Sequence, residues 1–269
     1  MNNNLIGIIN ERIGIFLSLI KEGYRLKEKL IFLEYHIRWP IHLLIFLTGK
    51  KNSRKLLGKV FIKNKYGLFF CGDNFASVFG AASFCEPEIR KEFVLKEGIA
   101  IDIGANLGMF SIPLAKTLGN NGKVICIEAE KKNIELLKRN VRLSRLKNIT
   151  VIGKGAYSKK DNMTFYLDNV GTGGHSLIKN NDGKKNIIEV DTIDNIMKEL
   201  NILKADVMKI DVEGVEIEVL KGAVKTLNNS HPKIIFEAVD REKLREIEIF
   251  LLKYNYNIRK IGEWNYVAE

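Results

Sequence analysis

The sequence predicts a doubly wound, mostly parallel α/β sheet preceded by a helical and hairpin extension. Three observations carry that expectation. From residue 98 onward, short β-branched runs alternate with amphipathic stretches of helical period. Ala100-Ile-Asp-Ile-Gly-Ala-Asn-Leu-Gly-Met-Phe-Ser111 reads as a buried strand turning sharply into a helix. The 269 residues, 46% of them hydrophobic, suffice for one such domain plus an extension.

Residues 5–20 and 30–47 are apolar with a helical pattern. Glu11 and Arg12 interrupt the first; Glu34, His36, Arg38 and Pro40 interrupt the second. The uncharged run from Trp39 up to Lys50 is about half of the roughly 20 residues a membrane span needs. No cleavable signal is expected, because the first basic residue, Arg12, lies within the apolar stretch and not before it. Residues 1–57 are therefore expected to form a basic, apolar helical extension. It either caps the larger domain or makes a peripheral membrane contact. The contact would use Trp39, the Leu43 to Leu47 face and the basic run that follows.

Residues 58–97 are expected to hold a hairpin and a lead-in helix. Val60-Phe-Ile faces Leu68-Phe-Phe across Asn64-Lys-Tyr-Gly67, which has turn chemistry, giving a hairpin over 58–80. A short helix is expected over 86–96. Residues 98–269 form the main domain. Its strands are expected near 99–103, 123–128, 148–153, 206–211 and 232–238, and its helices near 107–118, 131–146, 193–201, 214–228 and 241–253. Pro113 falls inside the first of these helices, so that helix is kinked or its regular part begins later. An insertion at about 157–191 carries two strand-like pieces, Met163–Leu167 and Asn186–Val190, around a polar loop.

The formal net charge is +11. Residues 1–97 hold 16 basic and 9 acidic side chains, the remainder 27 and 23, so the excess is concentrated ahead of the main domain. Lys50, Lys51, Arg54, Lys55, Lys59, Lys63 and Lys65 form a run without an acid. Such a run suits anionic lipid, a phosphorylated carrier or nucleic acid, or is a solvated surface. Cys71, Cys85 and Cys126 show no metal or disulfide spacing and read as structural thiols of a reducing, cytoplasmic compartment.

The strand–glycine–helix segment narrows the ligand. A dinucleotide site expects G-x-G-x-x-G, and a phosphate loop expects a Lys-Ser or Lys-Thr after its last glycine; Gly104 and Gly108 satisfy neither. What remains is a nucleoside without a pyrophosphate, carrying an amino group that Asp102 meets directly or through water. The next strand, Lys123-Val-Ile-Cys-Ile-Glu128, ends in a second carboxylate, placed to accept from both ribose hydroxyls. This pair suits S-adenosylmethionine, with Asp102 at the methionine end and Glu128 at the ribose. The bland alternative is an ordinary βαβ unit with helix-capping acids.

Three segments resemble the FkbM-type methyltransferases, within the class I S-adenosylmethionine-dependent superfamily. They are Ile101-Asp-Ile-Gly-Ala-Asn-Leu-Gly108, Val124-Ile-Cys-Ile-Glu-Ala129 and Met208-Lys-Ile-Asp-Val-Glu-Gly-Val-Glu-Ile-Glu-Val-Leu-Lys-Gly-Ala223. Asp191-Thr-Ile-Asp194 is similar to a further family element. The resemblance covers roughly residues 85–240. It implies a Rossmann-like fold with two further strands, near 255–261 and 264–268, as an antiparallel edge. It also implies an O-methyltransferase acting on a sugar, glycan or other small-metabolite hydroxyl or carboxylate.

The site residues follow. Asp102, Gly104, Ala105, Asn106, Gly108 and Glu128 are expected to bind the cofactor. Gly155 and Ala156, in a turn after the third strand, are expected to border its adenine. Asp211 and Glu213 flank the exit of the fourth strand. They accept a substrate proton, orient a sugar hydroxyl or hold a divalent ion, and no clear third oxygen ligand supports the ion. Glu213 has a plainer reading as a helix cap. His175, in a Gly-rich loop, is either a general base or an exposed loop histidine; His231 reads as structural. The basic, apolar extension suggests a lipid- or phosphate-linked acceptor. A nucleic-acid methyltransferase is the first rival. It would carry [DNS]-P-P-[YFW] where this chain reads Asp211-Val-Glu-Gly214. A binding protein without turnover is the second.

Overall fold

The computed structural model describes residues 13–38, 55–83, 85–167, 177 and 184–269. They form two compact units, the second beginning at Glu86. The first unit contains helices α1 (residues 13–22) and α2 (Leu26–Ile37), strands β1 (Lys55–Asn64) and β2 (Gly67–Asn74), and helix α3 (Phe75–Ala81). The hairpin pairs Phe61 with Phe70 and Ile62 with Phe69 across the expected turn. Leu19, Phe32, Val60, Ile62 and Phe69 make its core. Buried Glu22 ties three segments together. Its carboxylate accepts the Asn64 amide at 3.2 Å, the Ser83 N–H at 3.1 Å and the Ser83 hydroxyl. The hairpin ends at Asn74, short of the expected 80. Val78, Ala81 and Ala82 are buried at helical spacing, so the rest of that segment is α3. The apolar stretch from Trp39 and the basic residues Lys50, Lys51 and Arg54 lie outside the described residues.

The second unit is the doubly wound domain. After helix α4 (Pro87–Glu92), β3 (Gly98–Ile103) leads to α5 (Ser111–Leu118), β4 (Gly122–Ile127), α6 (Lys131–Ser144) and β5 (Ile149–Ile152). Then come α7 (Ile193–Glu199), β9 (Val207–Ile210), α8 (Glu216–Lys221), α9 (Val224–Ser230), β10 (Lys233–Glu237), α10 (Arg241–Leu252), β11 (Ile258–Lys260) and β12 (Asn265–Ala268). The sheet order is β11-β12-β10-β9-β3-β4-β5, and β3, β4, β5, β9 and β10 run parallel. All five expected parallel strands are present. The two faces of the sheet bury separate clusters. Ile101, Ile103, Ile125, Ile127, Met208 and Ile210 fill one side, and Ala100, Val124, Cys126 and Val207 the other. This alternation along each strand is what a sheet covered by helices on both faces requires. Among the described residues, no helix is long and apolar enough to cross a membrane. All three cysteines are buried thiols outside any disulfide.

Two differences from expectation have physical causes. α5 starts at Ser111, which puts Pro113 in the first turn, where its missing N–H has no intrahelical partner to lose. The helix expected over 214–228 is two helices, broken at Gly222. A side-chain carbon there would lie 2.1 Å from the Tyr157 carbonyl oxygen, so the backbones press together. α9 then restarts under a cap borrowed from α7: the Asp194 carboxylate accepts the N–H groups of Lys225 and Thr226, each at 2.9 Å. The two strands expected near 255–261 and 264–268 are β11 and β12, and they form the antiparallel edge. β12 inserts between β10 and β11 and runs against both, leaving β11 outermost.

The insertion builds a second sheet of order β6-β8-β7, from β6 (Gly155–Ala156), β7 (Asp161–Leu167) and β8 (Lys184–Asp191). β7 and β8 are the two anticipated strands, paired antiparallel with Met163 opposite Ile188.

Candidate active site

Strand order reverses beside β3: β4 and β5 lie on one side of it, β9 and β10 on the other. In such sheets the crevice at the carboxyl ends of the two strands flanking the reversal is where ligands bind. Asp102 near the end of β3, Glu128 after β4 and Asp211 after β9 all belong to that end.

The β3–α5 loop is fastened to both neighbouring strands. The N–H groups of Gly104 and Ala105 donate to the Ile127 carbonyl at 2.9 and 3.1 Å. Gly104 has φ +76°, and a side-chain carbon on it would lie 1.8 Å from the Asp211 carbonyl oxygen. At Gly108, φ +84°, the same carbon would meet Leu137 at 2.8 Å. The missing side chains at both glycines leave room for the protein's own neighbouring segments. Gly104 lets the loop cross the β9 exit, and Gly108 seats the loop under α6.

Glu128 completes the fastening. One carboxylate oxygen accepts the Asn106 N–H and the other the Glu130 N–H, both at 2.8 Å. Asn106 is itself left-handed, at φ +48°. Burial pushes the Glu128 carboxyl up to about 7, against the pull of these N–H groups. Each oxygen keeps a second lone pair for a further donor.

Asp102 is completely buried. The Ser111 hydroxyl donates to one oxygen. The other, Oδ1, has no hydrogen-bond partner, with the Lys209 ammonium 3.9 Å away. Burial pushes the Asp102 carboxyl up from the usual carboxylate range, and Lys209 opposes the rise. Lys209 is equally buried, lies opposite Asp102 in the β3–β9 register, and reaches Asp211 at 2.9 Å. Its ammonium also sits over the Phe110 ring, 5.0 Å from the centroid. Burial works against its charge, but Asp211, Asp102 and Glu86 outweigh burial and hold the proton more tightly than usual.

Beyond Asp211 the chain makes two consecutive left-handed residues, Glu213 at φ +57° and Gly214 at φ +103°. Helix α8 starts after Val215 without a side-chain cap, so the capping role considered for Glu213 is not filled; just ahead of the helix the Glu216 carboxylate accepts the Gly214 N–H at 2.8 Å. Glu213 stays accessible to solvent. Partial burial, then the charges of Asp211, Glu237 and Glu216, push its carboxyl up to about 8. Glu237, closing β10, rises to about 7 through burial and the charges of Asp211, Glu86 and Glu216. Glu86 is raised as well, by burial first, with Asp211 adding to it. Sequence reasoning did not single out Lys209, Glu86 or Glu237. Glu237 carried a usable signal, an acid closing an apolar strand in the manner of Glu128. Among the described residues, no group of three ligating side chains lies close enough to hold a metal ion.

Gly155 and Ala156 do not form a turn; they are buried as strand β6, with the Cα face of Gly155 packed on Val190 and Ile188. His175 lies outside the described residues. His231, expected to be structural, caps α9 in a left-handed conformation and stacks on Tyr256 at 4.1 Å.

Residues 102–258 match the Methyltransferase FkbM domain. The chain belongs to the FkbM methyltransferase family. The match opens on Asp102 and takes in Glu128, Asp211, Glu213 and Glu237. Among curated proteins, the chain is 28% identical over 131 residues to a probable cobalt-precorrin-6B C(15)-methyltransferase (decarboxylating) of Sulfurisphaera tokodaii, covering 45% of this chain and 67% of that one. Among solved structures, a methyltransferase FkbM from Methylobacillus flagellatus KT is 18% identical with a TM-score of 0.49. That comparison covers 98% of this chain and 60% of the other, so the chain spans well under two thirds of that protein. M. jannaschii TYW2 in complex with AdoMet is 16% identical with a TM-score of 0.43, covering 81% of this chain and 86% of that one.

Members of this superfamily draw the methyl group from S-adenosylmethionine, and the donor set at the crevice fits it. That molecule offers an ammonium and two ribose hydroxyls, all hydrogen-bond donors, and carries a sulfonium charge. Glu128, with a free lone pair on each oxygen, and Asp102, with its orphaned Oδ1, present acceptors and negative charge.

Proposed function

We propose that the chain transfers a methyl group from S-adenosylmethionine to a hydroxyl oxygen of a small, uncharged acceptor such as a sugar or hydroxylated metabolite. The observation that carries this reading is the pooling of Asp211, Glu213, Glu216, Glu237 and Glu86 around a single buried ammonium at the β9 and β10 exits. When bound, S-adenosylmethionine supplies an electrophilic methyl carbon. Glu128 holds the ribose, and Asp102, steadied by Ser111 and Lys209, serves the methionine end. Asn106 and its loop fix the cradle. Gly155 and Ala156 lie behind the adenine in this reading, as the buried β6.

Glu213 takes the acceptor proton. The carbon–sulfur bond breaks as the carbon–oxygen bond forms, and the hydroxyl proton passes to the Glu213 carboxylate and on to solvent. A carboxyl raised to about 8 is a stronger base than an ordinary one once ionised. A positive charge entering the crevice lowers that value and favours the ionised form. Asp211, held by Lys209, orients the hydroxyl. The surplus of carboxylates disfavours a phosphate beside the reacting oxygen, so a phosphate-linked acceptor would keep its phosphate outside the crevice.

The test is incubation with methyl-labelled S-adenosylmethionine and fractionated cell extract, followed by identification of the labelled product. A methyl ether on a neutral hydroxyl compound supports the proposal. Failure to bind S-adenosylhomocysteine, or label on nucleic acid, overturns it. Glu213→Gln should slow turnover at least tenfold while leaving S-adenosylhomocysteine affinity nearly unchanged. A second reading, methyl transfer to carbon, rests on the C(15)-methyltransferase relative. A carbon–methyl resonance in the product would decide for it.

A further inference from the structure

We propose that α2 is a dimerisation helix, pairing antiparallel with α2 of a second copy of this chain about a two-fold axis. Leu26, Leu30, Leu33 and Ile37 follow one another at spacings of four, three and four residues. This is the interval at which side chains form a single seam along a helix. They are 72%, 55%, 41% and 68% exposed, while Glu28 and Phe32 on the opposite side are buried. The seam therefore faces away from the core of its own unit, and four large apolar side chains in a row form a continuous patch.

The flanking charges select the occupant. In an antiparallel pair centred between Leu30 and Leu33, Leu30 packs beside Leu33 of the second copy, and Leu26 beside Ile37. The same register brings Lys27 opposite Glu34 of the second copy, and by symmetry Glu34 opposite its Lys27. The helix is thus self-complementary under a two-fold rotation, as an isologous contact requires. Lys27 is exposed. Lys29, which would face Glu34 in a parallel pair, is only half-exposed, and this favours the antiparallel arrangement, in which the exposed Lys27 takes its place. Glu34 meets Arg38 of its own chain at 2.7 Å, and in the dimer it borders the seam between that guanidinium and Lys27 of the second copy. One helix pair buries less than the ~1,200 Å² at the lower end of stable interfaces, so the dimer is weak and dependent on concentration.

The experiment is sedimentation equilibrium on the full chain across micromolar to sub-millimolar concentration. The wild type should shift from monomer toward dimer. Leu30→Glu should stay monomeric with a melting temperature close to that of the wild type, since more than half of Leu30 is exposed. Lys27→Glu should weaken the dimer at least fivefold, and Lys27→Glu with Glu34→Lys should recover most of that loss. A wild type monomeric throughout overturns the proposal, as does a double variant no better than Lys27→Glu. Flotation of the monomer with anionic vesicles, lost in Leu30→Glu, would give the seam to a membrane instead. A large fall in melting temperature for Leu30→Glu would show that this chain's own residues cover it.

Discussion

Replacing Glu128 with glutamine separates the carboxylate's charge from its place in the fold, and the structure sets the size of both effects. In the folded chain this group is raised from 4.5 to about 7. Its folded value exceeds its unfolded one, so its contribution to stability is complete below the unfolded value and fades as pH rises through 7. A shift of that size corresponds to ~3 kcal/mol of destabilisation at pH 8, since each unit is ~1.4 kcal/mol. Glutamine stays neutral but turns an amide toward one of the two N–H groups that Glu128 now accepts. Losing that bond costs ~1–2 kcal/mol. Glu128→Gln should therefore be more stable than wild type by ~1–2 kcal/mol at pH 8. The difference should shrink toward zero at pH 5, where the wild-type carboxyl is also protonated. Ligand binding should move the other way. If ribose hydroxyls need the ionised form, wild-type affinity for S-adenosylhomocysteine should rise about 20-fold between pH 5.5 and 7.5, or ~2 kcal/mol. The variant should bind weakly and with a much flatter pH dependence. Urea unfolding at the two pH values and calorimetric titration across the range measure both. A variant that binds within twofold of wild type and keeps its pH slope would refute the assignment of Glu128 to the ribose.

Three further outcomes follow from single contacts. Gly104→Ala should lower stability by at least ~2–3 kcal/mol, because the added carbon meets the Asp211 carbonyl at 1.8 Å in a left-handed conformation; a melting temperature within two degrees of wild type would contradict this. Asp194→Ala removes the shared cap of α9 and should cost ~1–2 kcal/mol in urea unfolding, with S-adenosylhomocysteine affinity unaffected. Lys209→Met leaves Asp102 and Asp211 without their shared ammonium and should cost ~3–5 kcal/mol at pH 8. Asp102, already raised by burial, then loses the charge that opposes the rise, so the deficit should narrow as pH falls toward 5; a deficit independent of pH would exclude that cause.

The sheet was legible because its signal is local. Ile99–Ile103, Val124–Ile127 and Val207–Ile210 are short β-branched or apolar runs, and a strand buried on both faces needs little else. Helix boundaries were less legible because they depend on distant partners. Nothing near Gly222 in the sequence announces the Tyr157 carbonyl pressed against it, and that contact divides α8 from α9. The place of β12 was hidden for a related reason. Two short C-terminal strands look alike in composition, and only their pairing with β10 decides which is inserted and which is outermost.

The site was half legible, and the missing half shares one cause. Asp102 and Glu128 stand out because each ends a strand next to a loop with its own signature. Lys209 sits mid-strand, where a lysine ordinarily marks an exposed edge; here its register partner is Asp102, which converts a misplaced charge into the centre of the crevice. Glu86 and Glu237 lie 151 residues apart along the chain, and neither means much alone. Their weight comes from facing Asp211 together, so that each raises the proton affinity of its neighbours. Glu237 and Glu213, pushed to about 7 and 8, share burial and the charges of Asp211 and Glu216, whereas Glu128 rises to about 7 through its own burial. A single-residue motif identifies which acids are present, but only the convergence of β4, β9 and β10 determines that they hold their protons near neutrality and release them when positive charge arrives.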